Sequence, residues 1–156
     1  MSGTRAQDDF AYALCDGTPF GETGTAGVGV VLRNGLHQRI MRSSTQVREG
    51  SAARARLAAI AEALRICRER GIRRVTVYCH DPSVVEKITH REHRDPGTLS
   101  GCLEVRALMN TFKMAEVRSL PWLANLEAAW LAKDAARQPS AEATRHLQPT
   151  LPLDAA

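Results

Sequence analysis

Two short apolar runs, each ending in an aspartate, constrain the fold of this chain more than any other feature. The first covers 10–16 and ends at Asp16, and the second covers 75–81 and ends at Asp81. Their length and their apolar character predict strands. Between them lie a glycine-rich stretch with the pair Asn34-Gly35, which is the strongest two-residue hairpin signal, and a long segment rich in alanine and arginine. This alternation of strands and helix predicts an α/β domain.

The alanine-rich segment is the clearest helix of the chain. Ser51 is of the residue type that caps a helix N-terminus, and apolar residues recur after it at helical spacing. The full order of predicted elements is βββαβααβα, which indicates a mixed five-stranded sheet with helices on both faces. The predicted strands are 10–16, 27–33, 37–47, 75–79 and 115–122, and the predicted helices are 51–70, 82–89, 103–112 and 125–137.

The bulk properties suit one ordinary domain. The chain has 156 residues and a net charge of +4, which permits nucleic-acid binding without demonstrating it. The ends, 1–9 and 138–156, show no periodicity and are expected to be flexible, which leaves 10–137 as the domain. No apolar run is long enough for a bilayer, and no secretory signal is visible, so we expect a cytoplasmic protein without a membrane partner.

The order of elements and four motifs resemble the ribonuclease H family over 10–137. The motifs are a strand-Asp-Gly-Thr at 12–18, a glycine-rich second strand at 26–32, the segment 80–88 that begins His80-Asp81-Pro82, and the last helix from Asn125. The resemblance implies the ribonuclease H-like fold, with the five-stranded mixed sheet and the flanking helices described above.

Members of this family hold two divalent ions with four carboxylates, and the ions clamp the scissile phosphate and activate a water. The resemblance assigns the first and second of these acids to Asp16 and Asp81. Arg56 stands where the family has a glutamate, and Ala129 stands where it has a further aspartate. An arginine about 4 Å from a divalent ion would repel it by roughly 8 kcal/mol at an effective dielectric constant near 20. We therefore expect Arg56 to bridge the two aspartates in place of the metal, and no cofactor to bind.

No neighbouring residue is expected to replace the missing acids. Glu62 and Glu127 fall on other helix faces than Arg56 and Ala129. His80 directly precedes the second aspartate on a predicted strand, so its side chain is expected to face away.

The resemblance predicts a ribonuclease H-like protein that is catalytically inactive or weak and that binds nucleic acid, either RNA–DNA hybrid or duplex. The residues expected to contact nucleic acid are Arg54, Lys87, Arg91 and Arg94. One alternative is an active ribonuclease H endonuclease that uses Mg²⁺ or Mn²⁺ at the two aspartates. The other is a protein–protein interaction scaffold, whose partner is a second copy of the chain or another protein.

Two further features have competing interpretations. The sequence His90-x-x-His93-x-Asp95 has the spacing of a metal-binding pair, but we expect a solvated loop there because a further ligand is missing. Trp122 and Trp130 are expected in the core or in an interface rather than stacked on nucleic-acid bases.

Overall fold

The computed structural model describes residues 9–20, 24–90 and 95–138. The ends that the sequence predicts to be flexible lie outside these residues, apart from Asp9 and Gln138. The strands are β1 (Phe10–Pro19), β2 (Ala26–Asn34), β3 (Arg39–Val47), β4 (Arg74–Cys79) and β5 (Met114–Ser119). The helices are α1 (Ala52–Glu69), α2 (Pro82–Thr89), α3 (Pro96–Met109) and α4 (Leu126–Arg137), with a 3₁₀ turn at Trp122–Asn125.

The five strands form one mixed sheet in the order β3-β2-β1-β4-β5. The first three strands pair antiparallel along the chain, whereas β4 runs parallel to both β1 and β5. The predicted mixed five-stranded sheet is therefore confirmed. Because β1 and β4 are parallel neighbours, the residues that end them lie at one edge of the sheet.

Helices pack on both faces of the sheet, as predicted. Along β2, Val30 and Leu32 face a large core shared with α1, α2 and α3. Val31 points the other way and packs against Leu131 of α4 in a smaller core. The apolar residues predicted for the helix after Ser51 all lie in the large core: Leu57, Ile60, Leu64 and Cys67.

The connection between β2 and β3 is not the predicted two-residue turn. The strand β3 begins two residues later than predicted, and the turn closes through a hydrogen bond from Asn34 N to Gln38 O at 2.9 Å. The residue with a left-handed backbone is His37, at φ 61°, rather than Gly35. The side chain of Asn34 accepts two hydrogen bonds from backbone N–H groups of the turn, so it stabilises the longer connection.

Helix α3 begins seven residues before its predicted start at 103 and ends at Met109 rather than 112. The side chain of Asp95 caps it by accepting a hydrogen bond from Gly97 N at 3.0 Å. Pro96 fills the first helical position, where its fixed φ and missing N–H do no harm. The sequence did not predict this helix start, because residues 95–101 are mostly polar or turn-forming. None of the helices that the structure describes combines the length and the apolar character of a bilayer span.

The two tryptophans do not lie in the core. Trp122 in the 3₁₀ turn is 52% exposed, and Trp130 in α4 is 60% exposed. Of the two expected positions, the core is therefore wrong for both tryptophans, and an interface stays a prediction. The face of α4 that packs on the sheet consists mainly of alanines and Leu131 instead, because the helix lies too close to β2 for larger side chains.

Candidate functional site

The carboxyl ends of β1 and β4 place Asp16 and Asp81 on either side of one small region. Asp16 lies within β1 and is only 6% exposed, and its Oδ1 accepts a hydrogen bond from Gly17 N at 2.9 Å. Asp81 follows β4 directly and caps α2, where its Oδ1 accepts hydrogen bonds from the backbone N–H groups of Ser83 and Val84. Both carboxylates are thus oriented by backbone donors of their own elements.

Arg56 of α1 lies between these two carboxylates. Its Nη1 donates a hydrogen bond to Asp81 Oδ2 at 2.8 Å, and its Nε lies 3.7 Å from Asp16 Oδ1. The close approach of α1 to β1 explains this position. A Cβ on Gly17 would come within 2.1 Å of Ala55 O, so only glycine allows the two backbones to touch here. That contact brings the next residue of the helix beside Asp16.

His80 also belongs to this cluster, which contradicts the expectation that it faces away. Its Nδ1 lies 3.6 Å from Asp16 Oδ1 and 3.2 Å from Asn125 Nδ2. The expectation failed because β4 ends at Cys79, so the alternation of side chains along the strand stops one residue earlier. The helix start at Asp81-Pro82 was the sequence signal that the strand had ended.

Asn125 is the second residue that the sequence did not reveal. It was predicted to begin the last helix, and its side chain makes no capping hydrogen bond there. Instead it is 1% exposed, and its Nδ2 donates to Cys15 O at 2.9 Å. It therefore connects the start of α4 to β1 beside Asp16. The available signal was an asparagine in the segment 122–132, whose other residues apart from Glu127 are apolar.

The position predicted for a missing aspartate, Ala129, is buried on α4. The helix approaches the sheet closely at Gly29, the residue paired with Asp16. A Cβ added to Gly29 would lie 2.3 Å from Ala128 O. Lys133 lies one turn beyond Ala129, and its positive charge acts on Asp16. The structure therefore brings Asp16, Arg56, Asp81 and the α4 position into one neighbourhood, with a second cation nearby.

Burial raises the pKa of Asp16 above its usual value. His80, Arg56, the N–H of Gly17 and Lys133 each act in the opposite direction, and burial outweighs them. The charge of this carboxylate is therefore costly in the folded protein, and its cationic neighbours reduce that cost.

This set of donors does not fit two divalent ions. Two carboxylates supply less negative charge than two such ions require, and the guanidinium of Arg56 already contacts both. Glu62 does not contribute, since it pairs with Arg65, and Glu127 pairs with Arg39. In the parts of the chain that the structure describes, no group of three or more His, Cys, Asp or Glu side chains could hold a metal ion.

The structure describes two of the four residues expected to contact nucleic acid, Arg54 and Lys87, and the nucleic-acid contacts stay a prediction. Arg54 Nε pairs with Glu49 Oε2 at 2.9 Å, and Lys87 Nζ pairs with Asp95 Oδ2 at 3.3 Å. Arg91 and Arg94 lie outside the described residues, and so does His93 of the segment expected to be a solvated loop.

The sheet order and the two aspartates at its edge define a ribonuclease H-like domain. The chain belongs to the family described as reverse transcriptase-like, whose model matches residues 14–135. None of the curated proteins compared with the chain matches it.

Solved structures show the same fold. RNase H1 from the halophilic archaeon Halobacterium salinarum has a TM-score of 0.76 and 23% identity, covering 81% of this chain and 96% of that chain. The N-terminal RNase H domain of Rv2228c from Mycobacterium tuberculosis was solved as a fusion with maltose-binding protein. It has a TM-score of 0.74 and 22% identity, covering 89% of this chain and 98% of that chain. LC11-RNase H1 in complex with RNA/DNA hybrid has a TM-score of 0.72 and 20% identity, covering 81% of this chain and 96% of that chain. At these identities the likeness is one of fold.

Proposed function

We propose that this chain is a ribonuclease H-like domain that binds nucleic acid, as RNA–DNA hybrid or duplex, without hydrolysing it. One observation carries the proposal, namely the contact of Arg56 with both Asp16 and Asp81. The family chemistry needs metal ions at this place, and these ion pairs engage the two carboxylates that would hold them. Binding of nucleic acid does not require these ions, because shape and backbone charge contribute much of the affinity.

The charge balance of the site supports binding without metal. Four carboxylates would repel a phosphate unless divalent ions lay between them. Here the two aspartates face Arg56, with Lys133 also acting on Asp16, so the formal charges cancel. A backbone phosphate can therefore approach this edge of the sheet without an ion. The solved complex of LC11-RNase H1 with RNA/DNA hybrid supports the choice of ligand.

The test uses the full-length protein, an end-labelled RNA–DNA hybrid and Mn²⁺, with native and denaturing gels run side by side. We expect a retarded complex on the native gel and intact RNA on the denaturing gel. The logarithm of the binding constant should fall linearly with the logarithm of the salt concentration, because phosphate contacts release counterions. The Asp16→Asn, Asp81→Asn double variant controls for contaminating nuclease. Cleavage that this variant abolishes would show a working site and contradict the proposal.

A gain-of-binding variant tests the assignment of the two substituted positions. Arg56→Glu combined with Ala129→Asp should bind Mn²⁺ measurably more tightly than the unchanged protein, because it restores four carboxylates. Arg42→Glu combined with Ala124→Asp makes the same change of charge at two exposed positions and serves as the control. Isothermal titration calorimetry measures both. Equal Mn²⁺ affinity of the two double variants would show that Arg56 and Ala129 are not the metal-binding positions.

A further inference from the structure

The segment from Trp122 to Trp130 exposes its large apolar side chains and buries an amide. Asn125 is almost fully buried and is held against β1 by its hydrogen bond to Cys15 O. On soluble domains, contiguous exposed apolar surface marks a place of interaction. Four large apolar side chains of this segment are between 46% and 72% exposed, and we name them the tryptophan stripe: Trp122, Leu123, Leu126 and Trp130.

The tryptophan stripe cannot turn inward, because α4 is fixed to the sheet by its opposite face. A Cβ on Gly27 would lie 1.8 Å from Ala132 O, and one on Gly29 would lie 2.3 Å from Ala128 O. Helix and strand therefore touch through their backbones. Ser44 Oγ also donates a hydrogen bond to Leu131 O at 2.8 Å. The exposed position of the stripe thus follows from how the helix is docked.

We propose that the tryptophan stripe is the contact surface of a homodimer, in which two copies of the segment pack antiparallel about a two-fold axis near Leu126. A two-fold interface requires a surface that is complementary to itself. Trp122 and Trp130 each lie four residues from Leu126, on either side of it. An antiparallel second copy therefore sets each tryptophan against the other tryptophan of its partner and sets leucine against leucine.

The exposed area of the tryptophan stripe is large enough for a homodimer interface. The exposed parts of its four side chains amount to on the order of 500 Å² per copy, given that a large aromatic residue presents about 150–250 Å² when fully exposed. Two copies would then bury about 1,000 Å² from the stripe alone, which reaches the lower limit for a specific interface. Tryptophan is also the residue type most enriched among the energetically dominant residues of interfaces.

The charges beside the axis do not oppose the pairing. Glu127 follows Leu126 directly, so two copies of this carboxylate would come near each other across the axis. Within its own chain, however, Glu127 pairs with Arg39 at 2.7 Å and with Arg33 at 3.7 Å. Each copy therefore brings a compensated charge to the interface, and like-charge repulsion is reduced.

The first test is sedimentation velocity of the full-length protein over a hundred-fold range of concentration. We expect a monomer–dimer equilibrium, which Leu126→Glu shifts to monomer. Leu103→Glu on α3 is the control, since Leu103 is 52% exposed and lies outside the stripe. Both tryptophans of the chain belong to the stripe, so tryptophan emission should shift to longer wavelength on dilution of the unchanged protein.

A cross-link tests the geometry independently of the stability of the variants. Leu126→Cys should form a disulfide between two copies under mild oxidation, whereas Leu103→Cys should not. The four native cysteines are buried and should not compete. A monomer at every concentration, or a dimer in which Leu126→Cys gives no disulfide, would overturn the proposal. So would an emission shift that appears only when nucleic acid or lipid vesicles are added, because the stripe would then serve that ligand.

Discussion

Arg56 converts two acidic side chains into an ion-paired unit. Its guanidinium is planar, is always charged at physiological pH, and presents donors in a fixed arrangement, so it can contact Asp81 and Asp16 at once. A lysine would offer a single point charge instead. The cluster therefore depends on the geometry of the guanidinium as well as on its charge.

Removal of this cation should change the titration of Asp16. Arg56→Ala removes one of the groups that lower the pKa of Asp16, so we expect its already raised pKa to rise further. Carboxyl ¹³C NMR against pH measures the change, with Arg42→Ala as an exposed control. An unchanged titration of Asp16 in Arg56→Ala would show that the two groups do not interact.

The raised pKa of Asp16 also affects the stability of the folded protein. Since the folded pKa of Asp16 lies above its unfolded value of 3.8, the folded state holds the proton more tightly. The contribution of Asp16 to stability is therefore most favourable at low pH and declines as pH rises from about 3.8 through the folded pKa. In Arg56→Ala the decline should extend to higher pH.

The sequence revealed the part of the cluster that follows a motif and missed the part that depends on tertiary packing. Asp16, Arg56 and Asp81 lie in motifs that the resemblance could align, although β1 continues to Pro19 rather than ending at Asp16 as predicted. His80 was assigned the wrong orientation and the buried position of Asn125 was not predicted, because local patterns place a side chain only while its element continues. Their positions depend on where β4 stops and on how α4 meets β1.

At the scale of elements, α4 and β2 approach so closely that a Cβ on Gly27 or Gly29 of the strand would overlap the helix backbone. This contact positions Ala129, Asn125 and the tryptophan stripe together, because all three belong to α4 or to the turn before it. Glycines on the strand and alanines on the helix let the backbones approach. A change in this contact should therefore affect both the cluster around Asp16 and the exposed stripe.

Gly27→Ala tests this contact. The new Cβ would overlap Ala132 O, so we expect a loss of roughly 1–3 kcal/mol in the free energy of unfolding, as for other overpacked contacts. Gly50→Ala is the matched control, because nothing lies within 4 Å of a Cβ there. Urea unfolding followed by circular dichroism measures both. If Gly27→Ala is as stable as Gly50→Ala, the helix is not docked as described.

The long, periodic elements were predicted well, and the short capped ones were not. Helix α1 was predicted because several apolar residues repeat along it and a serine precedes it. The start of α3 depends on Asp95 and Pro96, which resemble turn residues until the structure shows the Asp95 side chain bonded to Gly97 N. The β2–β3 connection depends in the same way on the side chain of Asn34.

At the scale of the whole molecule, the order of strands and helices was sufficient to predict the sheet. Only a few topologies place three sequential strands and two parallel crossovers in one sheet. The outer surface of α4 was not predictable in this way, because a helix that exposes tryptophan and leucine departs from the pattern of an isolated domain. In the proposed homodimer each copy covers the tryptophan stripe of the other, so the pair of chains has the usual pattern of apolar residues inside and polar residues outside.

The contact of Arg56 with both aspartates also has an evolutionary consequence. Arg56→Glu alone would leave three carboxylates without the guanidinium between them, and burial already disfavours the charge of Asp16. Ala129→Asp alone would add an acid while the guanidinium still occupied the space of an ion. Each single step towards a four-carboxylate centre therefore gives a protein that is either less stable or still closed to metal. Under the proposed function, a four-carboxylate centre would therefore arise only from both substitutions together.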